Sequence, residues 1–168
     1  LKAITAYVYE TFLEKIDQDF AKREGLLFVG GFAHPPNADA VLWFAKEVFP
    51  LIRNHCPVNF YIVGSKVTEE VQALDDPEAG IIVKGFVTEE ELAKLYASCR
   101  LVVVPLRYGA GVKGKVVEAV YYGSAIVTTS IGAEGIPEAE RVMRIGDTPE
   151  EFARLVEELY ENPEDCRR

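Results

Sequence analysis

A glycine-rich stretch, RYGAGVKGKVVEAVYYG at residues 107–123, combines three cations with a single glutamate. Glycines allow backbone N–H groups to approach an anion closely, and the N-terminus of a helix adds a favourable dipole. A helix is predicted to begin near Val112, where Arg107, Lys113 and Lys115 would supply positive charge. Because no acidic residue precedes the glutamate in this stretch, we predict that it binds a phosphate group.

Lys115 and Glu118 lie one turn apart on this predicted helix. Side chains at that spacing are roughly 5–6 Å apart at Cβ. The separation suits a pyrophosphate contacted by the lysine and a ribose diol that donates to the glutamate, as in a nucleoside diphosphate. The alternative is an exposed ion pair of small energetic value beside glycines that only satisfy a turn. The position of the cluster after an apolar strand favours the ligand hypothesis.

Gly109, Gly111 and Gly114 also match the pattern G-x-G-x-x-G of dinucleotide-binding proteins. That pattern normally follows the first strand of its unit directly, and an acid stands near the end of the next strand. Here three predicted β-α units come first, and the next strand ends in Thr-Thr-Ser. Glu134 lies beyond that strand, in a loop, so NAD is not the predicted ligand.

From residue 25 onward, short apolar segments rich in branched residues alternate with amphipathic segments. The predicted strands are LLFVG (26–30), VNFYIVG (58–64), IIVKG, LVVVPL (101–106), AIVTT (125–129) and RVMRI (141–145). The predicted helices begin at an Asn37 cap, near residue 67, at the capping box TEEE (88–91), near Val112 and at the Thr148 cap. This alternation predicts a doubly wound, Rossmann-like parallel sheet of about six strands, with helices on both faces in a three-layer α/β sandwich.

Loops at the carboxyl edge of such a sheet bind its ligands. After the first strand, Gly30 and Gly31 would permit close approach, and after the second, Ser65 would offer a hydroxyl. After the third, Phe86 and Val87 would present an apolar surface to a base. Stiff turns and ordinary core packing remain alternatives for these loops.

Composition limits the function further. The chain has 168 residues and 49% hydrophobic content, which fits one domain from residue 25 to 168 after a lead-in, residues 1–24, that is predicted to be helical. A net charge of −9 argues against nucleic acid or an anionic membrane as partner. No apolar run has the length of a membrane span, and the first residues do not predict a signal sequence.

The polar residues also exclude several kinds of site. Cysteines are three and widely spaced, which argues against a disulfide framework or a zinc site and favours a reducing cytoplasm. Asp17-Gln18-Asp19 has the D-x-D form of metal-dependent glycosyltransferases, but it falls in the lead-in and is predicted to be solvated helix surface. Asp75-Asp76-Pro77 is predicted to be a turn on the opposite edge of the sheet.

The chain resembles the C-terminal, donor-binding domain of the group 1 glycosyltransferases, which have the two-domain GT-B fold. Two segments carry the resemblance, GLLFVGGFAHPPNADAVLWFAKEVFP (25–50) and VVVPLRYGAGVKGKVVEAVYYGSAIVTTSIGAEGI (102–136). It implies a hexosyltransferase of polysaccharide biosynthesis that uses a UDP- or GDP-sugar. It also implies retention of configuration, no tightly bound metal or cofactor, and an acceptor-binding N-terminal domain absent from this chain, so that this fragment alone is expected to be inactive.

By position, Glu118 resembles the ribose-binding glutamate of the family, and Lys115 with the amides of Gly111 and Val112 resembles its pyrophosphate site. The resemblance also places Gly30 and Gly31 in the close-approach loop and Phe86 and Val87 beside the base. The family's second glutamate, which contacts the donor sugar, corresponds here to Ala110. The first loop has prolines and His34 in place of an arginine and a lysine, so Arg107 or Lys113 would supply the second phosphate contact.

These residues leave two functions open. The first is the nucleotide-sugar-binding half of a glycosyltransferase. The alternative is a non-catalytic scaffold module of the same fold that has lost donor binding. Ala110 slightly favours this alternative, whereas Lys115 and Glu118 favour the glycosyltransferase, which is the leading hypothesis.

Overall fold

The computed structural model describes residues 23–161. The predicted helical lead-in lies outside the described residues apart from Arg23 and Glu24, which are not helical. Asp17-Gln18-Asp19 also lies outside them.

Six parallel strands form one sheet in the order β3-β2-β1-β4-β5-β6. They are β1 (Leu26–Val29), β2 (Phe60–Val63), β3 (Ile81–Gly85), β4 (Leu101–Val104), β5 (Ala125–Thr128) and β6 (Arg144–Ile145). The predicted six-stranded, doubly wound sheet is therefore confirmed. The strand order reverses between β1 and β4, so the loops after these two strands border the crevice in which such sheets bind ligands.

Seven α-helices connect and flank the strands within the described residues. They are α1 (Pro35–Trp43), α2 (Phe49–Arg53), α3 (Glu69–Gln72), α4 (Glu89–Ser98), α5 (Gly114–Tyr121), α6 (Ala139–Val142) and α7 (Pro149–Glu161). A π-helical segment (Phe44–Val48) joins α1 to α2, and a 3-10 turn (Pro77–Ala79) precedes β3 at the predicted Asp-Asp-Pro turn.

The helices cover both faces of the sheet. On one face α7 packs against α1 and its continuation, with Phe152 edge-on to Trp43 and Phe44. On the other face α4 packs against α5 through stacked Tyr96 and Tyr122. The four residues of β4 are all buried, as a central strand covered on both faces requires. The predicted three-layer arrangement is confirmed.

The first helix does not begin at an Asn37 cap, and that prediction was wrong. His34 is the N-cap, and Pro35 and Pro36 occupy the first helical positions. Proline has the φ of a helix and no N–H to satisfy, so the pair extends the helix toward β1. The Asn37 side chain instead turns back, and its Nδ2 donates to the Gly31 carbonyl at 2.7 Å.

The sixth strand is shorter than the predicted 141–145. Residues up to Val142 form α6, in which the Met143 N–H donates to the Ala139 carbonyl at 2.9 Å. Only Arg144 and Ile145 then pair with β5. An edge strand has no second neighbour to extend its ladder, so the helical turn takes the preceding residues.

The capping predictions for α4 and α7 are confirmed. The Thr88 Oγ accepts from the Glu91 N–H at 3.2 Å, and the Thr148 Oγ accepts from the Glu151 N–H at 3.1 Å. Threonine at the N-cap satisfies one of the N–H groups that the first turn leaves without a partner. The cap at Thr88 fixes the start of α4, which carries Tyr96 toward the site described below.

Candidate functional site

Lys115 lies in the first turn of α5 and reaches across the crevice to β1. A Cβ placed on Gly30 would lie 3.0 Å from Lys115 Cε, and the ammonium is 5.8 Å from the centroid of the Phe28 ring. The absence of a side chain on Gly30 therefore leaves the space that the lysine stem occupies.

The ammonium of Lys115 has no acidic partner within residues 23–161: no hydrogen bond or ion pair forms with it there. Burial and, to a smaller extent, the charge of Lys113 lower the pKa of Lys115. A half-buried cation that no carboxylate neutralises is unfavourable by itself. Such a cation is expected where an anionic ligand completes the site.

The helix that carries Lys115 begins with free backbone donors. Across the described part of the chain no group accepts from the N–H of Gly114 or of Lys115, the first two residues of α5. The space where a Gly114 side chain would point is open, with no heavy atom within 4 Å. Free N–H groups at a helix N-terminus next to a cation form a binding site for an anion.

The predicted start of α5 near Val112 was two residues too early. Gly109 and Gly111 have φ values of 121° and 82°, and Lys113 is extended, so the loop continues to Gly114. Glycine adopts these positive φ values without strain, and for that reason the chain does not turn helical earlier.

The amide of Gly111, predicted to contact pyrophosphate, already has a partner. Its N–H donates to Glu134 Oε1 at 2.8 Å, and the Lys113 ammonium donates to the Gly111 carbonyl at 2.5 Å. Glu134 belongs to the loop after β5, so a carboxylate from the neighbouring loop occupies a donor of the glycine-rich loop. Val112 is exposed, and a Cβ on Gly135, in the same loop as Glu134, would lie 2.6 Å from Val112 Cγ2.

Arg107 is paired with an acid in this structure. Its Nε and Nη2 donate to the two carboxylate oxygens of Asp39 at 2.9 Å and 2.6 Å, and its guanidinium lies 5.9 Å from the Trp43 ring centroid. The hydrogen bond to Asp39 raises the pKa of Arg107 above its ordinary value. The residue ties the loop after β4 to α1, and Lys113 and Lys115 remain as cations without a carboxylate partner among residues 23–161.

Glu118 is half-buried on the second turn of α5, and the phenol of Tyr96 donates to its Oε2 at 3.0 Å. The predicted one-turn spacing from Lys115 is confirmed, since both residues are in the same helix. The alternative of an ion pair between Glu118 and Lys115 is not observed. The hydrogen-bond partner of Glu118 is Tyr96, which belongs to α4.

The loops after β1 and β2 meet at the same edge. The Phe32 N–H donates to the Ser65 carbonyl at 2.9 Å, and a Cβ on Gly31 would lie 3.7 Å from Ser65 Oγ. A Cβ on Gly64 would collide with the Gly30 carbonyl oxygen at 1.7 Å, so glycine is required at position 64 for the two loops to approach. The structure thus brings Gly30, Gly31 and Ser65 together.

Phe86 and Val87 follow β3, just before α4. Phe86 is 75% exposed, the highest value among the large hydrophobic side chains of the described residues, while Val87 packs partly against the core. An exposed phenylalanine at the carboxyl edge of the sheet is available for stacking. It lies on the loop that leads into the helix carrying Tyr96.

The amino-acid sequence of this domain matches a known protein family. The family model described as "Glycosyl transferases group 1" matches residues 23–162, most of the chain. The chain belongs to this family. The chain is also similar to an uncharacterized 44.6 kDa protein in the cps region of Klebsiella pneumoniae, with 30% identity over 118 residues. The alignment covers 66% of this chain and 30% of that protein.

Solved structures share the fold of this group 1 glycosyl transferase domain. TarM of S. aureus, a mutant in complex with fondaparinux, alpha-GlcNAc-glycerol and UDP, superposes with a TM-score of 0.69 at 16% identity, covering 86% of this chain and 30% of that one. HepE of Anabaena in complex with UDP and glucose superposes with a TM-score of 0.64 at 15% sequence identity. The superposition covers 96% of this chain and 46% of HepE. The chain thus spans less than half the length of these relatives.

Within residues 23–161 no helix is long and apolar enough to span a bilayer. In the same range no group of three or more His, Cys, Asp or Glu side chains is placed to hold a metal ion.

Three contacts of the site were not predicted from the sequence. Asp39 and Tyr96 show no local signal, because each acquires its role from a residue far away in the chain, Arg107 and Glu118 respectively. Glu134 was noted only as an acid too late for a dinucleotide site. Its position in a loop at the carboxyl edge was the one available signal that it could reach the glycine-rich loop.

Proposed function

We propose that this domain is the donor-binding half of a glycosyltransferase that takes a sugar from a nucleoside-diphosphate sugar. The observation that carries the proposal is the Lys115 ammonium, which is half-buried near Gly30 and has no acidic partner in the described residues, together with the free N–H groups in the first turn of the same helix. A pyrophosphate would neutralise the ammonium and accept hydrogen bonds from the N–H groups. Family membership supports the same class of ligand, and so does the UDP in the TarM and HepE complexes.

The remaining residues of the site suit the other parts of such a donor. Glu118, one turn beyond Lys115, would accept hydrogen bonds from the ribose hydroxyls. Phe86 and Val87 would meet the base, while Gly30, Gly31 and Ser65 would line the phosphates and the sugar. Lys113 would supply a second positive charge once its ammonium leaves the Gly111 carbonyl.

The proposed chemistry follows from where charge develops. When the bond between the sugar and the diphosphate breaks, negative charge grows on the leaving phosphate oxygen. Lys115 and the N–H groups of Gly114 and Lys115 are fixed before the reaction and would stabilise that charge without reorganising. We propose that these groups, and no tightly bound metal, neutralise the leaving group, with retention of configuration at the transferred hexose.

We propose that a second domain, outside these 168 residues, binds the acceptor. The chain alone is therefore expected to bind the donor weakly and to transfer little sugar. The acceptor would be a growing polysaccharide. The free thiols Cys56 and Cys99 support a reducing compartment, the cytoplasm, as the place of reaction.

Binding of nucleotides tests the proposal directly. The melting temperature of the chain and the heat of binding are measured with UDP, GDP, ADP and NAD at low ionic strength. A selective response to one nucleoside diphosphate is expected, since a ligand that binds only the native state stabilises it, by about 2.7 kcal/mol at one hundred times its Kd. A response to NAD alone would contradict the proposal.

The second candidate is a scaffold module of the same fold that does not bind a donor. Ala110 favours it, because an acid expected for the sugar is absent there. The contact between Glu134 and Gly111 favours it as well, since a carboxylate occupies one amide of the predicted phosphate loop. An unchanged melting temperature and no heat of binding with any of the four nucleotides would favour this candidate.

Glu134→Gln is expected to strengthen binding of the nucleoside diphosphate. The Glu134 carboxylate repels a pyrophosphate near Gly111, and glutamine removes that charge while keeping an oxygen that can accept from the Gly111 N–H. For an exposed charge the gain is about 1 kcal/mol or less, roughly up to fivefold in Kd, and it shrinks as salt is added.

Calorimetric titration at two salt concentrations measures this change. Glu140→Gln, which removes the same charge from an exposed position on the neighbouring helix, is the matched control and should leave the Kd nearly unchanged. A loss of affinity in Glu134→Gln would instead mean that the carboxylate serves the bound ligand.

A further inference from the structure

Tyr96 is among the largest fully buried side chains of the described residues, with 1% of its surface exposed. A buried phenol is stable only when its hydroxyl has a hydrogen-bond partner. The partner here is Glu118 Oε2, at 3.0 Å. The hydroxyl of a core tyrosine is therefore directed at the residue proposed to bind ribose.

The ring of Tyr96 is held in place by Tyr122. The two rings stack with centroids 4.5 Å apart and planes 7° from parallel. Tyr96 belongs to α4 and Tyr122 is the residue that caps the end of α5, so the stack fixes the two helices relative to each other.

The phenol can only act as a donor to the carboxylate. Burial, followed by the negative charge of Glu118, raises the pKa of Tyr96 far above its ordinary value. The hydroxyl therefore stays protonated well above neutral pH, and it donates to Glu118. The bond engages one carboxylate oxygen and leaves Oε1 with its full capacity to accept.

We propose that Tyr96 is a positioning residue that orients the Glu118 carboxylate toward the ribose hydroxyls and so makes the domain select ribonucleotides over deoxyribonucleotides. The inference rests on the proposed function. A free glutamate side chain loses rotamer freedom when it orders on a ligand, whereas Tyr96 orders Glu118 beforehand. The benefit is largest with a ligand that has both ribose hydroxyls to donate.

Tyr96→Phe in the 168-residue chain tests this role. The variant keeps the ring and its stack on Tyr122, and the carboxylate that it releases is only half-buried. The Kd values for UDP and for 2′-deoxy-UDP are measured by calorimetry. We expect UDP to bind about two- to tenfold more weakly. The deoxy analogue keeps only the 3′-hydroxyl as a donor to Glu118 and should be weakened less, so that the ratio of the two Kd values moves toward one.

Two controls separate this role from a purely structural one. Tyr61→Phe removes a tyrosine hydroxyl on β2, away from Glu118, and should change neither Kd. Glu118→Gln should also move the ratio of the Kd values for UDP and 2′-deoxy-UDP toward one.

Each remaining outcome decides the inference. Equal weakening of both nucleotides by Tyr96→Phe, or an unchanged ratio while Glu118→Gln narrows it, would overturn the role of Tyr96 and leave the proposed function standing. A wild-type chain that binds neither nucleotide, nor GDP or ADP, would overturn the proposed function and this inference together.

Discussion

Lys115→Met lowers the affinity for the nucleoside diphosphate by about 10- to 150-fold, the range expected for losing a hydrogen bond to a charged group. The same substitution is expected to raise the melting temperature of the free domain. Methionine fills the space beside Gly30 without a charge, and it removes both the burial cost of the ammonium and its repulsion by Lys113. Calorimetry and thermal unfolding of the same sample measure the two effects.

The opposite signs of these two effects identify a ligand site. A lysine that serves only packing or solubility would change stability without changing nucleotide affinity. Lys94→Met is the matched control, because that lysine is exposed on α4 and forms a surface pair with Glu90. Unchanged nucleotide affinity in Lys115→Met, with the wild type binding normally, would remove the lysine from the site.

Lys115 also predicts how binding and stability change with pH. Its pKa lies below the ordinary lysine value of 10.5 because of burial and the charge of Lys113. Between the lowered pKa and 10.5 the unfolded chain binds more protons than the folded chain, so this residue makes the folded state more stable as pH rises. Nucleotide affinity falls over the same interval as the ammonium is lost. Titrations in alkaline buffers should show both trends in the wild type and smaller changes in Lys115→Met, in which Lys113 remains.

Glu118→Ala weakens nucleotide binding by about 1–3 kcal/mol, roughly 5- to 150-fold, because two ribose hydroxyls lose their acceptor. The substitution also leaves the buried Tyr96 hydroxyl without its partner, so a lower melting temperature is expected. Glu118→Gln keeps an oxygen for Tyr96 and loses only the charge, and it should be closer to the wild type in stability.

Comparing the two variants separates folding from binding. Both should bind the nucleotide more weakly, although only Glu118→Ala should unfold earlier. Glu47→Ala, at an exposed position on the segment after α1, is the control for loss of one acid. Full affinity in a folded Glu118→Gln would mean that this carboxylate does not hold the ribose.

The arrangement of the sheet followed from the sequence because it depends on local patterns. Branched apolar segments define the strands, and threonine followed by glutamates defines the starts of α4 and α7. The short connections then leave right-handed crossovers as the only regular arrangement. These signals lie within a few residues of each other, so no tertiary information was needed.

Helix starts were less predictable where glycine or proline permits more than one backbone path. Pro35 and Pro36 extended α1 beyond the predicted Asn37 cap, and the positive φ of Gly109 and Gly111 delayed α5 to Gly114. Sequence spacing alone does not distinguish a glycine that ends a loop from one that begins a helix.

Pairings between distant side chains were the least predictable part of the site. Arg107 was predicted as a phosphate ligand from its charge, yet Asp39, 68 residues earlier, accepts both of its hydrogen bonds in this structure. Tyr96 reaches Glu118 across 22 residues. Such contacts depend on how α1, α4 and α5 pack on the sheet, and no periodicity in the chain records that packing.

The ion pair between Arg107 and Asp39 also gives the protein an optical reporter. Trp43 is the only tryptophan of the chain, and the Arg107 guanidinium lies 5.9 Å from its ring centroid. Indole emission depends on nearby charge, so the fluorescence of the unlabelled protein follows the position of the loop after β4. Stopped-flow mixing with nucleotides can therefore test, without an attached dye, whether that loop moves on binding.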